Sequence, residues 1–146
     1  MDGRDVVEPL TQVSSRSSVG GWLLLLCRLL IVWQPLTLAL TAPAALSSVP
    51  VRGQVVLVLL IARLLVAALG IAAGLALQNR RDGAVRLAQI ALVASAATDV
   101  FIYLTPYYPN NRPPGDTPIY VAGTIAFCAI WLVYLARSRR VRETFA

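Results

Sequence analysis

Histidine and lysine are both missing from this chain, and cysteine occurs only twice. Without histidine there is no side chain whose ordinary pKa suits it to general base work near pH 7. Cys27 and Cys128 stand far apart inside apolar runs. They are too few for a metal set and carry no paired spacing, so they read as small apolar side chains. A serine nucleophile would lack its base, and no glycine-rich phosphate loop sits between a strand and a helix. These gaps point away from an enzyme and from a bound metal or cofactor. Charge is scarce as well: charged residues make up 14% of the chain and hydrophobic residues 58%, where soluble domains run near 25% charged and about 45–50% apolar. The mean hydropathy is +0.70. Lipid is the solvent this composition fits.

What charge there is comes mostly as arginine, which supplies all thirteen basic residues and a net charge of +6 over 146 residues. Exclusive use of arginine suggests a GC-rich bacterial genome. A basic balance also fits nucleic acid, but these arginines gather beside apolar runs, where they orient a membrane protein. No nucleic-acid partner is expected.

Four apolar runs cover 22–40, 55–77, 87–104 and 119–136. Each approaches the ~20 residues that cross about 30 Å of hydrocarbon. Runs this continuous predict helices, because only a helix satisfies its own backbone in lipid. The expected fold is therefore all-α, an integral membrane bundle of four transmembrane helices over 22–136. A polar tail over 1–21, with no apolar period, reads as disordered, and a basic tail follows over 137–146. The connector 41–54 holds two prolines and a glycine, 78–86 is short and charged, and 105–118 holds five prolines and is expected to be a loop. Ala42-Pro43-Ala44 resembles a signal-peptidase site. The acidic tail, the length of the first run and Arg28 within it argue for a retained span instead.

Arginine distribution sets an orientation. The tail carries Arg4 and Arg16, the second connector Arg80, Arg81 and Arg86, and the C-terminus Arg137, Arg139, Arg140 and Arg142, against Arg52 and Arg112 on the other side. Nine against two predicts both termini in the cytoplasm. Trp22, Trp131 and Tyr134 would then mark the inner interface, and Tyr103, Tyr107, Tyr108 and Tyr120 the outer one. The C-terminal arginines would also attract anionic lipid headgroups.

Arg28, Arg63 and Asp99 fall inside the spans, at an insertion cost of about 2.5–3.5 kcal/mol each. The second and third spans form a hairpin about Arg81. Counting back from that turn, Arg63 and Asp99 lie roughly 21 and 18 Å deep, so the two are expected to share a level and to pair. Arg63, Ala67, Gly70 and Gly74 make a stripe on the second helix whose small members allow close approach. Ala84, Ala88, Ala91, Ser95 and Asp99 make one on the third. The expectation is that these two stripes face each other. Arg28 is expected to snorkel to the headgroups, with an inward turn toward Gln89 as the alternative. Pro35 after Gln34 predicts a kink in the first span.

The chain opens its first helix with Gly20-Gly21-Trp22-Leu23 and closes its fourth with Trp131 and Tyr134, followed by Ser138, Arg140, Val141, Thr144 and Phe145. This order resembles the bacterial inner-membrane family known as domain of unknown function 2569. That family shows Gly-Gly-Trp-Leu at the start, and Trp-x-x-Tyr before Ser-x-Arg-Val-Lys-x-Thr-Phe at the end; Arg142 stands where lysine is usual. The resemblance implies four helices with both ends inside, and it carries over no activity and no catalytic or binding residue. With both ends on one side, Phe145 and Val141 are expected near Gly21 and Trp22.

Two functional readings follow. One is a non-enzymatic protein acting through contacts with other membrane components, whether a membrane-protein partner or a homo-oligomer, with Gly123 and Ala126 offering a small-residue surface. The other is a small transporter or channel-like oligomer using Arg63 and Asp99. Multidrug exporters of this size depend on a carboxylate in the first helix, and four-helix thiol oxidoreductases need paired cysteines; this chain has neither. A lipid-modifying site around Tyr107, Tyr108 and Asp116 is a more distant option, since these residues read as an interfacial loop.

Overall fold

The computed structural model describes residues 21–108, 115–139 and 141, and all regular structure among them is helical. Four long helices run in sequence: α1 (Trp22–Arg52), α2 (Gln54–Gln78), α3 (Ala84–Leu104) and α4 (Thr117–Arg137). The shortest has 21 residues, which at 1.5 Å per residue is about the thickness of a bilayer's hydrocarbon core. Residues 1–20, in the tail expected to be disordered, lie outside the described residues, as do Arg140, Arg142, Thr144 and Phe145.

The first connector differs from its sequence expectation. Pro43 and Pro50 lie inside α1, which continues past Leu40 to Arg52. A proline within a helix removes one backbone bond. Leaving the helix would expose a whole run of amides, each costing several kcal/mol in lipid. The smaller penalty wins, and the helix persists until Gly53. There φ is +76° and ψ −166°, a conformation essentially restricted to glycine, and this single residue joins α1 to α2. Pro35 leaves a different mark. Lacking an N–H for the Ile31 carbonyl, it follows a five-residue π-helical stretch, Leu29–Trp33, a common source of helix kinks.

The α2–α3 turn is tight. The Arg81 N–H donates to the Ala76 carbonyl at 3.0 Å, and Gly83 begins α3 in the left-handed region with φ +76°. Successive helices pack side by side, α1 on α2, α2 on α3 and α3 on α4. One apolar cluster, at the end nearer the termini, joins Leu23, Leu26, Cys27, Ala73, Leu77, Ala88, Trp131 and Val141. A smaller cluster at the far end joins Ala45, Val56, Ile102 and Tyr108. Only 17–22% of each helix's most apolar stretch is buried. Large side chains such as Leu40, Val58, Leu65 and Ile130 stand exposed. A soluble monomer rarely tolerates so much contiguous apolar surface, whereas a bundle immersed in lipid requires it. This is a multi-pass membrane architecture.

Candidate functional site

Polar groups inside the bundle converge on α3. Ser95 and Asp99 are four residues apart and so share a helix face. Asp99 Oδ1 accepts from Arg63 Nη2 of α2 at 2.8 Å, with side chains 16% (Arg63) and 23% (Asp99) exposed. One turn away, Ser95 Oγ accepts from Gln34 Nε2 of α1. These two rungs tie α3 to both preceding helices. Lipid supplies no competing water, so a bond lost here is not replaced.

Tyr108, expected in an interfacial loop, is instead 2% exposed. Its ring lies 5.5 Å from the Arg63 guanidinium carbon, a cation–π distance. Its hydroxyl donates to Thr41 Oγ1 at 3.3 Å. Arg52 Nη1 donates to the Pro106 carbonyl at 2.6 Å, which draws the start of the α3–α4 connection against the end of α1. Arg63 is thus held between a carboxylate and an aromatic face. Tyr107 remains exposed. Asp116 precedes α4 and accepts through its backbone carbonyl from the N–H groups of Ile119 and Tyr120.

The glycine stripe of α2 points elsewhere than expected. A Cβ at Gly70 would lie 3.4 Å from the Leu30 carbonyl oxygen and 3.5 Å from Gln34 Cγ; one at Gly74 would lie 2.6 Å from Ile31 Cγ1 and 3.1 Å from the Cys27 carbonyl oxygen. Both glycines therefore face α1 rather than α3. Arg63 belongs to the same stripe yet reaches α3, because its side chain is long enough to cross sideways while a glycine can only meet what lies directly opposite. The small residues Ala84, Ala88 and Ala91 of α3 are buried.

Arg28 is exposed on α1 and Gln89 only half-buried. Cys27 and Cys128 are buried free thiols, and the Cys128 Sγ lies 3.7 Å from the Leu92 carbonyl oxygen. Trp131 stacks edge-on against Tyr134, with ring centroids 5.7 Å apart, and lies 6.2 Å from Trp22. Ser138 closes α4 by donating its N–H to the Tyr134 carbonyl at 2.9 Å. Val141 is buried in the same cluster as Leu23 and Trp131.

Between α1 and α4, with α3 as its floor, lies a cleft of about 430 Å³. Gln34, Ser95 and Asp99 form its polar end, and Leu30, Leu92 and Phe127 contribute apolar wall. Its rim includes Ile119, 71% exposed, and Trp33, 58% exposed, so it faces the surface that lipid covers. A Cβ at Gly123, on the α4 wall, meets nothing within 4 Å. Tyr103 and Tyr120, 6.1 Å apart, flank the end toward the α3–α4 connection. The volume lies within the range of roughly 300–1,000 Å³ seen for small-molecule sites.

Sequence reasoning missed the Gln34–Ser95 bond and the inward turn of Tyr108. A signal for the first was present, since an amide within an apolar run needs a partner. Nothing in the local sequence distinguishes Tyr108 from its exposed neighbour Tyr107. No curated protein and no solved structure matches the chain. Residues 16–146 match the family described as "Protein of unknown function (DUF2569)". The match spans nearly the whole chain, including all four lipid-facing helices and the Trp131 ring that lies beside Trp22, and the chain belongs to that family.

Proposed function

We propose that this protein is a non-enzymatic, multi-pass component of the bacterial inner membrane that takes a small lipid-soluble molecule into the α1–α3–α4 cleft, as a binding protein or small carrier. The observation that carries this reading is a cleft of about 430 Å³ that leads from the lipid-facing surface to Gln34, Ser95 and Asp99. A bundle whose polar residues served only helix register would have no need to leave them accessible from the side. Both termini are taken as cytoplasmic on the arginine count. Arg137 and Arg139, with Arg140 and Arg142 beyond them, are proposed to hold anionic headgroups there.

A second reading is favoured by one feature of the same cleft. The α1–α4 side lacks the continuous packing found between the other neighbouring helices, and Gly123 opens onto it. A helix from a second copy or from another membrane protein would find a small-residue surface there.

One variant separates the two. Gly123→Leu places a side chain in the cleft without meeting a neighbour at Cβ. Native mass spectrometry of the parent, extracted in mild detergent, is expected to show a retained small molecule that the variant has lost. Loss of a dimer or a protein adduct in the variant would favour the second reading. Identical spectra for parent and variant would refute both.

A further inference from the structure

Resting on the reading of the cleft as a ligand site, we infer that it selects uncharged amphiphiles, with a hydroxyl, amide or carbonyl head seated among Gln34, Ser95 and Asp99 and an apolar body lying against Trp33 and Phe127.

Charge balance is the first support. The acid that lines the cleft, Asp99, is met from behind by Arg63 at 2.8 Å. The pair is neutral as a unit. A cationic head beside Asp99 would also stand near Arg63, so its attraction to one partner is offset by repulsion from the other. An anionic head meets the reverse arrangement. Either would bring an uncompensated charge out of water, which costs several kcal/mol even after relaxation. An uncharged head avoids that cost.

Hydrogen-bonding capacity is the second. A primary amide offers two donors and a carbonyl acceptor, and a hydroxyl offers a donor and two acceptor sites. The bond from Gln34 to Ser95 uses one donor and one acceptor site of this set. A ligand head that both donates and accepts complements the remainder. The third support is position. The rim residues Trp33 and Ile119 are exposed on the surface that lipid covers, so the ligand arrives by partition into the bilayer and sideways movement, not from water.

Aromatic walls make an organic cation the main competitor, because Trp33, Tyr103, Tyr120 and Phe127 all line the cleft and ring faces attract ammonium groups. The test sets the heads against each other on one chain. Full-length protein in phospholipid nanodiscs is titrated with dibrominated dodecanol, dibrominated dodecyl-trimethylammonium and dibrominated dodecanoate, and tryptophan fluorescence is followed. Bromine quenches on contact, and Trp33 is the tryptophan that lines the cleft. The alcohol is expected to quench saturably, with half-saturation at a mole fraction about tenfold lower than either ion, a difference of about 1.4 kcal/mol. Trp33→Phe should remove the saturable component. Ser95→Ala should raise the alcohol's half-saturation several-fold while leaving the protein folded by circular dichroism.

If the ammonium binds more tightly than the alcohol, or all three heads saturate alike, the selection of uncharged heads is overturned while the cleft remains a ligand site. If no probe gives a saturable component that depends on Trp33, the cleft reading fails and this inference falls with it. An unchanged half-saturation in Ser95→Ala overturns the placement of the head.

Discussion

At the end of the bundle that carries the termini, the helices meet through small and apolar surfaces: Gly74 against Ile31 and the Cys27 carbonyl, Ala88 within the cluster, Trp131 near Trp22. Toward the opposite end they are joined by polar bonds, Arg63 to Asp99, Tyr108 to Thr41 and Arg52 to the Pro106 carbonyl. The two regions rest on different physics. Lipid tails are as apolar as leucine, so apolar side chains gain little by leaving them, and association depends on how closely the surfaces fit. A polar group in lipid has no solvent to return to, so its partner matters more than its shape. The terminal half should therefore respond to added volume, and the far half to a lost partner.

The largest effect should come from breaking the ion pair. Arg63→Leu takes from the half-buried Asp99 the guanidinium it accepts from at 2.8 Å, and a loss approaching the roughly 3–5 kcal/mol seen when buried pairs are broken is expected. Membrane accumulation and thermal melting check this. Arg63→Asp and Asp99→Arg should each be depleted, and the double exchange should recover much of the parent's stability. Single variants as stable as the parent would mean that fit holds both halves, and Asp99 would become the first candidate for a transport site.

Next come two glycines that fail for different reasons. Gly74→Ala drives a Cβ to 2.6 Å from Ile31 Cγ1 and 3.1 Å from a backbone oxygen, an overpacking expected to cost about 1–3 kcal/mol. Ile31→Ala in the same chain should return part of it. Gly53→Ala meets no neighbour within 4 Å but must hold φ +76° and ψ −166°, at a similar cost of roughly 1–3 kcal/mol from the backbone alone. Replacing Ile31 should not rescue it. Equal rescue of both variants would remove the distinction between fit and backbone strain.

Smaller effects sharpen the comparison. Tyr108→Phe keeps the ring over Arg63 and loses the bond to Thr41, so about 0.5–1.5 kcal/mol should go; Tyr108→Leu, which also loses the ring face, should cost more. Gly70→Ala meets its neighbours at ordinary contact distance and should stay within about 0.5 kcal/mol of the parent. A large loss at Gly70 with a small one at Gly74 would contradict the packing described for α1 and α2.

Of the candidate site, the Arg63–Asp99 pair was legible in the sequence, while the Gln34–Ser95 bond, the cover of Tyr108 and the cleft were not. Counting 1.5 Å per residue from the α2–α3 turn put Arg63 and Asp99 at one depth, and they stand 2.8 Å apart. The glycine stripe was legible as a stripe but not as facing α1, because periodicity says which residues share a face and not which neighbour that face meets. Tyr107 and Tyr108 are chemically the same in sequence, and only the fold of the loop decides that one is exposed and the other covers Arg63.

By itself the sequence determined the four spans, the all-α class and the family's terminal motifs. Apolar length and backbone self-satisfaction in lipid are local properties of a segment, readable without neighbours. Tertiary structure decided that α1 runs through Pro43 and Pro50 to Gly53, since the helix persists wherever one missing bond costs less than many exposed amides. It also decided that α1 and α4 leave a cleft between them, with Gln34, Ser95 and Asp99 at its polar end. A cleft is a relation among surfaces that meet only when the helices pack, and no single segment encodes it.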